Sequence, residues 1–249
     1  MLGEPNRTPA DLHFRVFGFP VRVHPLFWLL ALLLGAQAYE GDPAKTLIWI
    51  GVVFVSILVH ELGHAFLIRS LGEQCWITLW AFGGLASAAG PAAGFLLAVV
   101  VILGVMLSGH TAGVTFDANR LDLSALGVGS IRYLDVIFFD IYFEPFANDK
   151  LNALIHSLLF VNIFWGLLNL LPVYPLDGGQ ISRELFVQHN YAQGIRQSLM
   201  LSIGTAVALA VFGLFYFQSF FMALMFGFLA YNNYVTLQNY QGRSGPYGW

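Results

Sequence analysis

Apolar residues run along this chain in blocks near 20 long, and the stretches between them collect the prolines, glycines and charges. A helix of about 20 apolar residues is long enough to cross the hydrocarbon core of a bilayer. On that criterion spans fall at about Pro25 to Tyr39, Thr46 to Ile68, Gly90 to Ser108, Leu151 to Leu171, Ser198 to Phe217 and Phe220 to Val235. The pattern predicts an all-α membrane protein of about six transmembrane helices, forming a single polytopic domain over residues 1–249. The first and last blocks are short for a full crossing and need flanking residues to complete them.

Two stretches break the helical pattern. Leu12 to Val23 alternates loosely in polarity around Gly18-Phe19-Pro20, which predicts a short hairpin at the membrane surface. Gln74 to Ala88 is rich in Trp, Ile, Thr and Phe before Gly83-Gly84, and it reads as strand-like and re-entrant. Backbone of that kind is tolerated at membrane depth only where protein or a wet cavity satisfies its hydrogen bonds. The two stretches are expected to form one small membrane-associated β-element.

Composition narrows the function classes. Of 249 residues, 57% are hydrophobic and 10% charged, against roughly a quarter charged in an average soluble domain. A water-soluble globule is excluded on this balance. A formal net charge of -3 and the absence of any Lys/Arg-rich stretch exclude nucleic acid as a partner. The single cysteine, Cys75, can form neither an internal disulfide nor a cysteine-based zinc framework. Any metal must therefore be held by histidines and carboxylates.

Charge also sets an orientation. The first 23 residues hold three arginines and three prolines, so they lack the uninterrupted apolar core of a cleavable signal and are expected to be retained. A cytoplasmic amino terminus puts Arg7, Arg15, Arg22, Arg69, Arg183, Arg196 and Arg243 inside, against Lys45, Arg120, Arg132 and Lys150 outside. The positive-inside rule favours that arrangement. Residues 111–150, with Asp117, Asp122, Asp135, Asp140, Glu144 and Asp149, are then expected to be an acidic external loop. Within it, Ile131 to Phe146 mixes aromatics with acids, as an interfacial element does.

The second span is free of ionisable residues from Thr46 until it reads Val59-His60-Glu61-Leu62-Gly63-His64. Ionisable groups in lipid cost several kcal/mol unless they find partners. Residues four apart share a helix face, so His60 and His64 can converge on one metal with Glu61 beside them. In this His-Glu-x-x-His signature the imidazoles supply two zinc ligands, and Glu61 can take a proton from an attacking water. The bland alternative bonds both histidines to neighbouring carbonyls and neutralises Glu61 with Arg69. Three ionisable groups at this spacing inside a bilayer helix argue against it.

A catalytic zinc usually has three protein ligands and one open position. Of the remaining histidines, His13, His24, His110, His156 and His189, most fall near span ends, where a solvated or surface-satisfied histidine is ordinary, and His156, within a span, reads as a packing or polar-contact residue. The stronger candidate is the carboxylate in Asn169-Leu-Leu-Pro172-Val-Tyr-Pro175-Leu-Asp177-Gly178-Gly179-Gln180. Two prolines break the helix and the glycine pair allows close backbone approach just after Asp177. Taken alone, Asp177 would be a turn residue or the N-cap of a helix over Ile181 to Gln188. Depth favours the ligand: His60 lies about eight residues, roughly 12 Å, before the end of its span, Asp177 lies just past the end of its own, and both spans run outside to inside.

With these residues in view, the chain resembles the site-2 protease family of intramembrane zinc metalloproteases, in a compact form without a PDZ domain or a CBS pair. The likeness rests on His60 to His64, on the Asn169 to Gly179 segment, on Gly83-Gly84 followed by Ala89-Gly90-Pro91, and on the Val16 to Pro25 element. It implies that His60, His64 and Asp177 hold one zinc ion and that Glu61 is the general base. It further implies that Asn169 orients substrate or stabilises the oxyanion, and that Gln74 to Ala88 pairs with an unwound substrate segment. Gly94 departs from the pattern, since many relatives have asparagine after the Gly-Pro pair. The expected activity is hydrolysis of peptide bonds within or near transmembrane segments of membrane proteins, in a prokaryotic cytoplasmic membrane with the site opening toward the cytoplasm. Two rival readings use the same residues. A divalent-metal transporter would have no need of Glu61 as a base and would commonly show an inverted repeat, which is not found here. A catalytically dead scaffold would have no reason to keep all four residues intact.

Overall fold

The computed structural model describes residues 6–79, 89–116, 126–136, 139–216 and 218–243. The chain divides into two compact units, one comprising Arg7–Ala81 with Ala89–Leu167 and the other consisting chiefly of Leu168–Trp249. Gly83-Gly84 and the rest of the expected strand-like stretch beyond Leu79 lie outside the described residues.

In the first unit, strands β1 (Leu12–Val16) and β2 (Phe19–Val23) pair antiparallel, and β3 (Ile77–Leu79) adds parallel to β2, so the sheet order is β1-β2-β3. The turn sits at Phe17 and Gly18, both with positive φ (50° and 87°), rather than around Gly18-Phe19-Pro20. Two central residues of positive φ match the right-handed twist of the flanking strands, which is why a two-residue hairpin closes here. Phe19 is thereby freed to enter β2, where it is buried with its ring edge-on to Phe66 at 5.3 Å. Pro20, which has no N–H to give, lies outside the Val21–Val23 stretch that pairs with β3.

Helix α1 (Pro25–Ala38) starts on His24, whose Nδ1 accepts the Leu26 amide at 3.2 Å. Helix α2 (Pro43–Ser70) starts on Asp42, whose carboxylate accepts the amides of Ala44 and Lys45. Proline opens each helix, where its missing N–H costs nothing. Arg69, in the last turn of α2, donates to the carbonyl of Phe17 at 2.9 Å and lies 4.3 Å from the ring centre of Phe19. The β-hairpin is thus pinned to the end of α2, and Arg69 is engaged there rather than with Glu61.

Helix α3 (Ala89–Leu107) and helix α4 (Asp149–Asn169) are joined through a second sheet. Over its described residues, the segment expected as an acidic loop instead forms strands β4 (Ala112–Thr115), β5 (Arg132–Val136) and β6 (Phe139–Phe143), ordered β4-β6-β5 and antiparallel throughout. The correction has a simple cause. Leu134, Ile141 and Phe143 turn one way and pack with Ile155, Leu159 and Ile163 of α4, an alternation that Asp135 and Asp140 on the intervening positions obscured. Asp117, Arg120 and Asp122 lie outside the described residues.

In the second unit, α5 (Asp177–His189), α6 (Tyr191–Phe215) and α7 (Phe220–Arg243) follow one another, with Val173, Ala206, Phe226, Leu229 and Ala230 as their buried core. Among the described residues, five helices are long and apolar enough to cross a membrane, whereas α1, with 14 residues, is shorter. Large apolar side chains such as Leu96, Leu103, Leu107, Val211, Phe215 and Leu224 are exposed along α3, α6 and α7. Exposure on that scale is untenable for a monomer in water and natural where lipid is the solvent. The chain is an integral membrane protein, mostly helical, with small sheets.

Candidate metal centre

A 28-residue helix without a break brings His60 and His64 onto one face of α2. Both are buried, at 4% and 1% exposure, in a helix interior where an unpartnered imidazole would be costly. Their Nε2 atoms lie 3.2 Å apart and their rings stand nearly perpendicular, at 79°. Glu61 is partly buried, and one potential ligand atom from each of His60, Glu61 and His64 lies within 4.8 Å of the others. Two nitrogens bound to one tetrahedral ion at about 2.0–2.1 Å would be roughly 3.3 Å apart. The histidine pair therefore already has the separation that such an ion requires, without rearrangement of the helix.

Glycine makes room for this pair. A Cβ at Gly90 would fall on Nε2 of His64 and 2.7 Å from Nε2 of His60, so only a residue without a side chain can pass there. One turn away the contact is reciprocal: a Cβ at Gly63 would meet the carbonyl of Ala89. Gly63 and Gly90 thus allow α2 and α3 to approach at backbone distance directly over the imidazoles.

A polar cross-link supports the same helix one turn earlier. Asn162 of α4 donates from Nδ2 to Ser56 Oγ at 2.9 Å and to its own Leu158 carbonyl at 2.8 Å, with both Asn162 and Ser56 buried. An interhelical bond of this kind in lipid is worth about 0.6–2 kcal/mol. Sequence reasoning passed over Ser56 and Asn162, although a lone asparagine in the middle of an apolar span was the signal available.

The other predicted site residues belong to the second unit. Asn169, 7% exposed, is the last residue of α4. Asp177, 3% exposed, is the first residue of α5, while the N-cap position belongs to Leu176, which makes no side-chain cap bond. The alternative that made Asp177 the N-cap is thereby set aside, and the helix expected over Ile181 to Gln188 begins four residues earlier, at Asp177. A carboxylate in the first turn sits favourably at the positive end of the helix dipole. A Cβ at Gly178 would meet the Leu170 carbonyl and one at Gly179 the Tyr174 nitrogen, so the glycine pair seats α5 directly on the backbone of the broken segment.

The remaining histidines take ordinary roles. His24 caps α1, His110 stacks on Phe146 at 3.8 Å, His13 contacts the Asp11 carbonyl, and His156 is half-buried within α4. The side chain of His189 lies outside what is described.

A membrane-spanning helix with a buried His-Glu-x-x-His pair, followed by an Asn169 to Gly179 segment broken by prolines, defines the class. The profile of peptidase family M50 matches residues 83–211, more than half of the chain, and the chain belongs to that family. The matched stretch includes Asn169 and Asp177. Among curated relatives, the chain is similar to Zinc metalloprotease MJ0392 of Methanocaldococcus jannaschii, 23% identical over 81% of this chain and 53% of that one. It is also similar to Rip3 of Mycobacterium tuberculosis, 27% identical over 80% of this chain and 49% of the relative. The chain spans about half the length of these curated relatives. Among solved structures, the Site-2 Protease from Methanocaldococcus jannaschii matches with a TM-score of 0.54 at 17% identity, covering 91% of this chain and 95% of the other. At that identity the match speaks for the fold.

Proposed function

We propose that this protein is a zinc-dependent intramembrane endopeptidase, hydrolysing peptide bonds within or near the transmembrane segments of other membrane proteins. The observation that carries the reading is the buried His60–His64 pair, Nε2 to Nε2 3.2 Å, beside Glu61 in a membrane-spanning helix. Membership of peptidase family M50 and the zinc metalloprotease relatives support it.

In this reading His60, His64 and Asp177 hold the ion. Bound zinc supplies Lewis acidity, acidifying water and polarising a carbonyl. Glu61 accepts the proton of the attacking water and returns it to the departing amine. The carboxamide of Asn169 donates to the oxygen on which negative charge develops, a contribution of about 2.7–4 kcal/mol for a well-aimed donor. A helical substrate hides its carbonyls, so a segment must first unwind. The stretch from Gln74 to Ala88 would then pair with the extended segment, a role supported by the way β3 carries the β1-β2 sheet into that stretch.

The finer topology belongs to the same proposal. Counting α1 as a pass gives six, with the amino terminus, the surface hairpin and the opening of the site on the cytoplasmic side, and the β4-β6-β5 sheet outside. The arginine distribution supports that orientation.

The test is Glu61→Gln, measured for zinc content and for cleavage of a membrane substrate. Zinc should be retained while cleavage falls by about 100- to 10,000-fold, the usual worth of a positioned proton acceptor. Full cleavage by the variant would refute the assignment of the base.

A further inference from the structure

The segment between α4 and α5 has no helix to satisfy its backbone, and Pro172 and Pro175 contribute no N–H. Most of its polar groups are satisfied locally. The amide of Leu171 donates to Leu168, that of Val173 to Leu171 and that of Leu176 to Val173, while the Gln180 side chain donates to the Pro175 carbonyl at 2.8 Å. Tyr174 is different. Its amide donates to Ser202 Oγ of α6 at 3.1 Å, and its carbonyl accepts from Asn233 Nδ2 of α7 at 2.6 Å. One residue is therefore held at both ends of its backbone by side chains from two separate helices.

Ser202 is 0% and Asn233 2% exposed. Polar side chains buried in membrane helices are costly unless they are used, and here each is used on the same residue. The consequence reaches Asp177 through glycine. Since Gly179 lies against the Tyr174 nitrogen and Gly178 against the Leu170 carbonyl, no side chain cushions the start of α5 from Tyr174. Displacing the Tyr174 backbone therefore displaces the helix turn that carries the carboxylate. The same feature gives Asn233 a purpose that its place near the end of an apolar block did not reveal.

We propose that Ser202 and Asn233 are positioning residues for Asp177, fixing Tyr174 from α6 and α7 so that the carboxylate stands where the metal needs it. The inference rests on the reading of Asp177 as a zinc ligand. It makes the last two membrane helices partners in metal retention, although neither supplies a ligand.

The test uses the full chain in detergent, loaded with zinc and challenged with a chelating dye, with thermal unfolding followed in parallel. Ser202→Ala and Asn233→Ala should release zinc about tenfold faster, the lower end of what lost support of a metal ligand costs. Ser202→Thr, which keeps the acceptor oxygen, should release it at the original rate. Two controls lose the same chemical groups without touching Tyr174: Ser198, whose hydroxyl donates to Ile195 of its own helix, and Asn232, whose amide donates to Phe228 of its own. Ser198→Ala and Asn232→Ala should retain zinc as the unaltered chain does. Equal release rates for the Tyr174-binding variants and the controls would overturn the inference, whether all are fast or all are slow. If Asn233→Ala does not fold, Ser202→Ala against Ser198→Ala decides alone. Asp177→Ala separates the two levels. Rapid release by Asp177→Ala with normal release by Ser202→Ala and Asn233→Ala removes the positioning role only, whereas normal release by Asp177→Ala removes the ligand itself and the positioning role with it.

Discussion

At Gly90 the site tolerates no side chain at all. A single methyl there would collide with the Nε2 edges of both His60 and His64, on a face where α2 and α3 already meet at backbone distance through Gly63 and Ala89. Gly90→Ala should therefore weaken zinc binding by about 10- to 100-fold while costing only about 1–3 kcal/mol of stability for the overpacking. Competition against a chelator of known affinity measures the first and denaturant unfolding the second. Undiminished zinc affinity would mean that the imidazole edges face elsewhere. At this scale the sequence was most informative where spacing alone brings groups together. His60, Glu61 and His64 are four residues or fewer apart on a helix, so their convergence could be read before any fold was known. Gly90 stood out as part of a Gly-Pro pair, but its use depends on which helix crosses it. Ser202 and Asn233 meet Tyr174 only through tertiary packing, and nothing local to either residue announces the meeting.

Elements were legible in proportion to how strongly one period dominated them. Long apolar runs gave α2, α3, α4, α6 and α7 to within a few residues at most ends, the main exceptions being the polar ends of α6 and α7, where Tyr191–Gln197 and Thr236–Arg243 continue the helices beyond the apolar blocks. The β4-β6-β5 sheet was hidden because Asp135 and Asp140 interrupt its apolar alternation and, with the acids around them, read as solvation. The β1-β2 hairpin carries its own electrostatic fastening. Asp11 accepts from the hydroxyl and amide of Thr8 and from Arg22 Nε at 2.7 Å, with its side chain wholly covered. Burial alone would raise this carboxyl, but the bonds from Thr8 and Arg22 outweigh it and lower the pKa from 3.8 to about 2. A carboxyl whose folded value is depressed stabilises the fold fully above its unfolded value and loses that contribution as pH falls through the folded one. The hairpin's protection against amide exchange should accordingly weaken between about pH 4 and pH 2. In Asp11→Asn it should be weaker at neutral pH and flat across that window. An identical acid profile in the variant would show that Asp11 does not fasten the strands.

Taken as a whole, the molecule combines a lipid-adapted exterior with a few buried polar residues that each have a definable task. Ser56 with Asn162 ties α4 to the histidine-bearing helix, and Ser202 with Asn233 holds the segment before Asp177. The proposed ligands come from two distant stretches of chain, and the account depends on their sharing one ion. X-ray absorption at the zinc edge, on the purified chain and on Asp177→Ala, tests that most directly. The account predicts about two imidazole nitrogens near 2.0–2.1 Å, together with an oxygen contribution that changes when Asp177 is removed. A spectrum without imidazole scattering, or one that Asp177→Ala leaves unaltered, would contradict it.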